Sequence, residues 1–523
     1  MSKPDPIPQN PNNVEETEEE DSDDDEFEEF VEEEESDLQP DPPRTRKEQA
    51  GIERAKMASF VQRIQTETVP LRVHDVIIKG NTKTKDSFLE AETALLKEVT
   101  SMQELLEASK LVNFRLQALE VFDSVRITLD SGPPELAGTA NVVVEVVETT
   151  SPISGEIGAY TKGEARSSTV EGTLKYKNVC GYGDLWDASM AYGGDHMTEV
   201  SAGVYVPRFK GLVTPLTARV FLLSQDWLKF SSYKERSLGL SLGLVSSRNH
   251  DLVYNLAWRT LTDPSQMASR SIRRQLGHGL LSSLKYTFKV DQRNSPLRPT
   301  RGYAFVSTTQ VAGLAPDSRS LCFLRQELDL RYAIPLGFLR SALNLGISAG
   351  VVFPWGTGFS NMPSPLPERF FMGGNLSPIC TLGGPIALYG FRTRGLGPSE
   401  PRRQTQNNPT DDSADPGRDH LGGDLGVTAF ADLSFDFPSR WFQAKGIHGH
   451  LFASAGNVDK LTEKAYQSFS LRKFVESCRS TVGVGIVVPT MLFRLELNYC
   501  YMLKKFEYDR GKSGFRVSFS TPS

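Results

Sequence analysis

Apolar and polar positions fall into distinct regimes along the chain. Between residues 71 and 148 the spacing switches from two to about 3.6 and back. Val73 to Lys79 is rich in β-branched residues, and Gly80-Asn81 turns the chain. Thr82 to Val99 then places Phe88, Ala91, Ala94, Leu95 and Val99 on one helical face. A second helix is expected from Met102 to about Val121, where Met102, Leu105, Ala108, Val112, Leu116 and Leu119 recur every three or four residues. Ser124–Asp130 and Asn141–Glu148 read as strands separated by Ser131-Gly132-Pro133-Pro134. The order β-α-α-β-β predicts a small α+β domain over 71–148.

From Ser151 to the end, helical periodicity gives way to period-two segments. Leu238, Leu240, Leu242 and Leu244 alternate with Gly239, Ser241 and Gly243. Phe493, Leu495, Leu497, Tyr499 and Tyr501 alternate with Arg494, Glu496, Asn498 and Cys500. Such alternation is what a strand with one apolar face produces. Strand starts are expected near 151, 167, 183, 197, 214, 237, 251, 276, 301, 320, 338, 425, 446, 477, 491 and 512, sixteen in all. A soluble sandwich would also alternate. The segment lengths, however, match the ~9–11 residues that cross a bilayer when tilted. The off-face residues (Gly, Ser, Asn, Arg, Glu) suit a polar lumen. The pattern therefore predicts a transmembrane β-barrel of about 16 antiparallel strands over 151–523, with an even strand count as such barrels prefer. Residues 354–424, rich in Gly and Pro, interrupt the rhythm as one long loop, and loops of that length usually carry function.

Composition changes this picture mainly at the N-terminus. Residues 1–41 hold 19 of the 65 acids and one base, whereas the rest of the chain carries an excess of eleven positive charges. Residues 1–55 are therefore expected to be a disordered acidic tail attached to a mildly basic body. That tail lacks an apolar signal segment and is too acidic for a transit peptide. Five scattered cysteines exclude a disulfide scaffold, and no run of about 20 apolar residues could span a bilayer as a helix. The seven histidines show no metal spacing, and no phosphate loop or nucleophile constellation is present. The chain reads as a non-enzyme with no cofactor, no metal and no nucleic-acid partner.

Several motifs carry a resemblance to the outer-membrane barrel-assembly superfamily, and it covers about 71–523. The β-α-α-β-β unit resembles a polypeptide-transport-associated (POTRA) domain. Phe371-Met372-Gly373-Gly374, then Leu388-Tyr389-Gly390-Phe391 and Gly397-Pro398, resembles the long loop that folds back into the barrel. Asp291-Gln292-Arg293 with Pro299-Thr300-Arg301-Gly302 is similar to the family's D-x-R…P-x-x-G stretch. Lys512 to Phe519 fits the mitochondrial β-signal pattern. The family writes its loop core with Arg where this chain has Tyr389, and that Arg is understood to pin the loop to acidic groups on the lumen wall. Asp432 and Glu496 are the candidate wall partners here. Either Arg392 or Arg394 takes over the pairing, or Tyr389 hydrogen-bonds instead, or the pin is lost.

A single POTRA unit and no cleavable leader point within the superfamily to the mitochondrial sorting and assembly branch. The resemblance implies insertion of β-barrel precursor proteins into the mitochondrial outer membrane, with the POTRA domain in the intermembrane space. It implies further subunits of a sorting and assembly complex and outer-membrane lipids as partners. It also implies a lateral gate between the first and last strands, with Gly155 and Gly158 on one side and Gly514, Phe515, Val517 and Phe519 on the other. Those glycines either weaken the pairing or relieve crowding at closure. A plastid envelope translocation channel and a passive solute pore are the rival readings.

Overall fold

The computed structural model describes residues 69–520 except 137, 161–168, 195, 209–213, 339, 357–361, 375, 404–416, 463–466, 468 and 491–493. The acidic tail expected over 1–55 lies outside the described residues.

The first unit runs β1 (Arg72–Lys79), α1 (Asp86–Thr93), α2 (Met102–Ala118), β2 (Phe122–Ser131) and β3 (Thr139–Glu148). Its sheet has the order β1-β3-β2, with β1 parallel and β2 antiparallel to β3. Ser101 starts α2 by accepting a hydrogen bond from the Glu104 amide, while the Glu104 carboxylate reaches back to the Thr100 amide at 3.0 Å. Leu89, Leu96, Leu105, Val112, Leu116, Val142 and Val144 fill the space between helices and sheet and are fully buried. The first helix starts four residues later than its apolar pattern predicts. The cause is a distant carboxylate: the amides of Lys83 and Thr84 and the hydroxyls of Thr82 and Thr84 all donate to Glu148. Those amides are committed to the end of β3 and leave the helix to begin at Asp86.

Sixteen strands follow in a second sheet. On one side of the long loop lie β4 (Ile153–Tyr160), β5 (Thr169–Lys177), β6 (Leu185–Gly193), β7 (Met197–Val206), β8 (Leu216–Asp226), β9 (Lys234–Ser246), β10 (His250–Thr262), β11 (Gly277–Asp291), β12 (Gly302–Ala312), β13 (Phe323–Pro335) and β14 (Ala342–Pro354). Within the loop, β15 (Ser399–Pro401) and β16 (Arg418–His420) pair only with each other. The sheet resumes with β17 (Leu425–Asp436), β18 (His448–Asp459), β19 (Arg479–Pro489), β20 (Arg494–Lys504) and β21 (Gly514–Ser520). Each strand pairs antiparallel with its neighbour in sequence, and β14 pairs with β17 across the loop. Every expected strand start falls within four residues of an observed one.

Burial decides between a membrane barrel and a soluble sandwich. In β20 the polar alternates Arg494, Glu496 and Asn498 are at most 2 % exposed, while Leu497, Tyr499 and Tyr501 are exposed. β17 buries Asp432, Ser434 and Asp436 in the same way. A sandwich would turn its apolar face inward. Here the apolar face is the outer one, as hydrocarbon surroundings require.

The POTRA unit is fastened to one end of the barrel through the turn between β5 and β6. The Asp184 carboxylate gathers the amides of Val179 and Cys180 and the Trp186 indole, which rigidifies that turn. Against it, Asn178 donates to the Thr84 hydroxyl at 2.8 Å, and the Lys85 amide donates to Gly181 O at 2.9 Å. Glu92 pairs with Arg208 nearby. Glu148 thus holds the segment that carries the joint.

Burial alone would raise the Glu148 carboxyl, but the bonds from Thr82, Thr84 and Lys83 hold it down at about 2, from an ordinary 4.5. A depressed folded value contributes stability that is present above the ordinary value and lost as pH falls through about 2. Amide exchange at 82–85, corrected for its intrinsic rate, is expected to accelerate between pH 4.5 and 2 in the native chain. In Glu148→Ala it should be fast throughout, and an unchanged profile would remove Glu148 from the joint.

Candidate functional site

The lumen is occupied by the long loop, whose Phe370, Met372, Leu388, Tyr389, Phe391 and Leu396 are at most 3 % exposed. Small residues on the wall make room for it. A side chain at Gly350 on β14 would collide with the Phe370 ring, and one at Gly426 on β17 would meet Met372 and Pro385. The loop's own fold depends on two turns that L side chains rarely adopt: Gly373 has φ +102° and Gly390 has φ +86°. The Gly373 amide donates to Ile386 O at 3.0 Å, and the Gly374 amide donates to Phe391 O at 3.1 Å. Gly397 lies against Val458, and Pro398 O accepts from the Leu421 amide at 2.9 Å. The motif residues therefore form one packed knot.

Three ways of holding this loop were left open by the sequence, and the geometry selects one. The Tyr389 hydroxyl donates to Glu496 Oε2 at 3.1 Å and lies 3.2 Å from the Ser377 hydroxyl. Its ring packs on Phe452, with centroids 4.2 Å apart. Arg392 is exposed. Arg394 points elsewhere, between the Trp227 ring at 3.4 Å and the Phe371 ring at 3.8 Å, and donates to the Tyr233 hydroxyl. Neither arginine reaches the wall carboxylates.

Glu496 obtains its positive partner from its own strand. Arg494, two residues earlier and so on the same face, donates from Nε to Glu496 Oε1 at 2.7 Å. Among the described residues, Asp432 makes no hydrogen bond to the loop. It bonds His450 Nδ1 at 2.6 Å, His450 Nε2 faces Asn498 Oδ1 at 2.7 Å, and Asn498 donates to Glu496 at 2.9 Å. A second pair with the same two-residue spacing works from another wall segment. Arg331 and Asp329 of β13 are ion-paired, and they hold Thr381 O and the Gly383 amide of the loop. Arg293 of the Asp291-Gln292-Arg293 stretch donates to Ile379 O at 3.1 Å. The period-two pattern had already put Arg494 and Glu496 on one face, but nothing in it marked Asp329 or Arg331 as loop partners, or His450 and Ser377 as members of the network around Glu496.

The first and last strands lie at opposite ends of the sheet order, and among the described residues no ladder joins β4 to β21. Among the described residues they span 8 and 7 residues, against 15 for β11. Ile157 is 87 % exposed and Phe515 77 %, with Val517 also exposed. A Cβ added at Gly155 or Gly158 would meet no atom within 4 Å, and the same holds for Gly514, which has φ +142°. Among the described residues, nothing crowds these glycines in this arrangement of the seam. Phe519 pairs through its backbone with Leu495. The loop grips this last strand at both ends: the Ser377 amide donates to Ser520 Oγ at 3.2 Å, and Phe391 bridges to Gly511 in the hairpin that leads into β21.

A family model described as the Omp85 superfamily domain matches residues 178–522, and one described as a surface antigen variable number repeat matches 71–149. The chain belongs to the Omp85 superfamily. It is 27 % identical over 446 residues to a sorting and assembly machinery component 50 homolog of Xenopus tropicalis, covering 83 % of this chain and 86 % of that one. It is 26 % identical over 471 residues to a SAM50-like protein of Schizosaccharomyces pombe, covering 86 % and 90 %. Among solved structures, BamA from Haemophilus ducreyi lacking POTRA domains 1–3 superposes with TM-score 0.67 at 18 % identity, covering 86 % of this chain and 84 % of that one. The branch expected from the sequence is that of both relatives.

A bond from a neutral hydroxyl to a charged acceptor contributes roughly 1.5–3 kcal/mol. Tyr389→Phe is expected to lower the opening free energy of 385–392 by about that much, read by hydrogen exchange in detergent. Glu496→Ala leaves Arg494 buried without its partner and should cost more, about 3–5 kcal/mol of global stability. Equal, small effects of both would show that the loop is held by packing alone.

Proposed function

We propose that this Omp85 protein inserts and folds β-barrel precursors in the mitochondrial outer membrane, through a gate between β4 and β21. The observation that carries the reading is the unladdered seam, gripped on its β21 side by the lumen loop. In hydrocarbon each unmet N–H or C=O costs several kcal/mol, so a client strand cannot enter alone. An edge that pairs weakly with its own partner offers the client a temporary ladder, which is β-augmentation inside a bilayer. The client's C-terminal strand replaces β21 at the seam, and the loop around Gly390-Phe391 holds the barrel while the seam is open.

The POTRA unit lies in the intermembrane space in this reading and passes clients to the barrel end it is fastened to. Sorting and assembly subunits and outer-membrane lipids surround the barrel. No step requires bond chemistry, so no residue is assigned a catalytic role. A passive pore is disfavoured by a lumen filled with an anchored loop. A plastid translocation channel shares the fold, but the relatives at 26–27 % identity are by name a sorting and assembly machinery component and a SAM50-like protein.

Two outcomes test the reading. Organelles depleted of the protein should fail to assemble a labelled porin precursor while importing matrix proteins normally. Restoration with a chain whose 154–160 and 514–520 segments are joined by an engineered disulfide should fail until a reductant is added. Normal porin assembly on depletion would overturn the function, and assembly by the oxidised chain would overturn the gate alone.

A further inference from the structure

At the barrel end away from the POTRA unit, four arginines from separate segments meet. Arg392 follows the loop knot, Arg402 and Arg418 flank the β15–β16 pair, and Arg510 sits in the hairpin between β20 and β21. The backbone forces them together. The Arg392 amide donates to Arg510 O at 2.9 Å, and the Arg510 amide donates to Gly395 O at 2.6 Å. Arg402 Nη2 at 3.1 Å and Arg510 Nη1 at 3.4 Å both donate to the same acceptor, Lys229 O. Two guanidinium groups thus converge on one neutral oxygen, and Arg510 also reaches Arg418 O.

Asp419 and Asp509, the acids adjoining Arg418 and Arg510 in sequence, are already committed. Asp419 pairs with Arg402 at 2.8 Å and also accepts from the Ser232 hydroxyl and the Ser269 amide. Asp509 pairs with Arg479 at 2.9 Å. Among the described residues, Arg392, Arg418 and Arg510 have no carboxylate partner. Beside them His420 is 1 % exposed, and neither ring nitrogen has a partner among the described residues. Burial and then Arg510 push this imidazole down to about 4, so at neutral pH it is uncharged and offers one N–H and one bare nitrogen. Packing like charges together beside an unmet buried donor is costly unless something supplies the missing acceptors.

The geometry points to an oxyanion site at this cluster, made by Arg510, Arg418, Arg402 and His420 and suited to a phosphoryl group. Guanidinium forks match phosphate oxygens, and several forks with a neutral N–H satisfy more acceptors than a single carboxylate presents. The group comes from solution or from a lipid headgroup, since Phe506 and Tyr508 of the same hairpin are exposed apolar residues at the edge of the barrel wall. An anion here ties three pieces into one: the lumen loop, the β15–β16 pair and the hairpin that feeds β21. Its occupancy therefore sets how firmly the last strand is held.

The test uses the full chain. In nonionic detergent at constant ionic strength, inorganic phosphate should slow amide exchange at 505–513. Arg510→Gln, which keeps the Arg402–Asp419 pair, should weaken the apparent affinity at least tenfold, and Arg418→Gln serves if that variant does not fold. In phosphate-free nanodiscs, phosphatidylglycerol should give the same protection over phosphatidylcholine if the headgroup is the source. Protection by inorganic phosphate alone assigns the site to a soluble anion. No protection by either, or protection indifferent to both substitutions, would overturn it.

Discussion

The constraint on which this molecule depends is that backbone N–H and C=O groups cannot stay unpaired in hydrocarbon. Among the described residues, fourteen of the sixteen barrel strands meet it with a neighbour on each side, while β4 and β21 each have one laddered edge. Ile157 and Phe515, on these two strands, are exposed.

The inner face meets a related constraint with side chains. A lumen lined by Asp432, Glu496, Arg494 and Arg331 would be wet and open without a filling. The loop supplies that filling, and each charged wall group then needs a partner at low exposure. Same-strand pairs two residues apart solve this locally: Arg494 with Glu496 and Arg331 with Asp329 each balance on the wall itself. The loop then needs to bring only hydroxyls, carbonyls and amides, which it does through Tyr389, Thr381, Ile379 and Gly383. Tyrosine at position 389 is consistent with that arrangement. A guanidinium there would meet a carboxylate already occupied by Arg494.

Much of the fold was legible in the sequence because alternation with period two is a property of the strand itself. The starts of β4 to β14 and of β17 to β21 follow from where apolar residues begin to alternate. The POTRA elements follow from the change of period between Thr82 and Glu148. The first helix was drawn too long because the pattern registers apolar spacing and cannot see that a carboxylate 64 to 66 residues away captures its first amides.

The sequence by itself determined the strand number, the polar and apolar faces and the position of the long loop, while the residues of its knot were marked by the family resemblance. The first three depend on neighbours a few residues apart along the chain. Only the tertiary structure decided that Tyr389 holds the loop, that Asp432 is spent on His450, that Arg394 is caged by Trp227 and Phe371, and that Ser377 reaches Ser520. Those contacts join segments separated by up to about 170 residues, and barrel register sets which side chains face one another across the lumen. A one-dimensional pattern gives the faces of each strand but not which residue on another strand or loop will stand opposite.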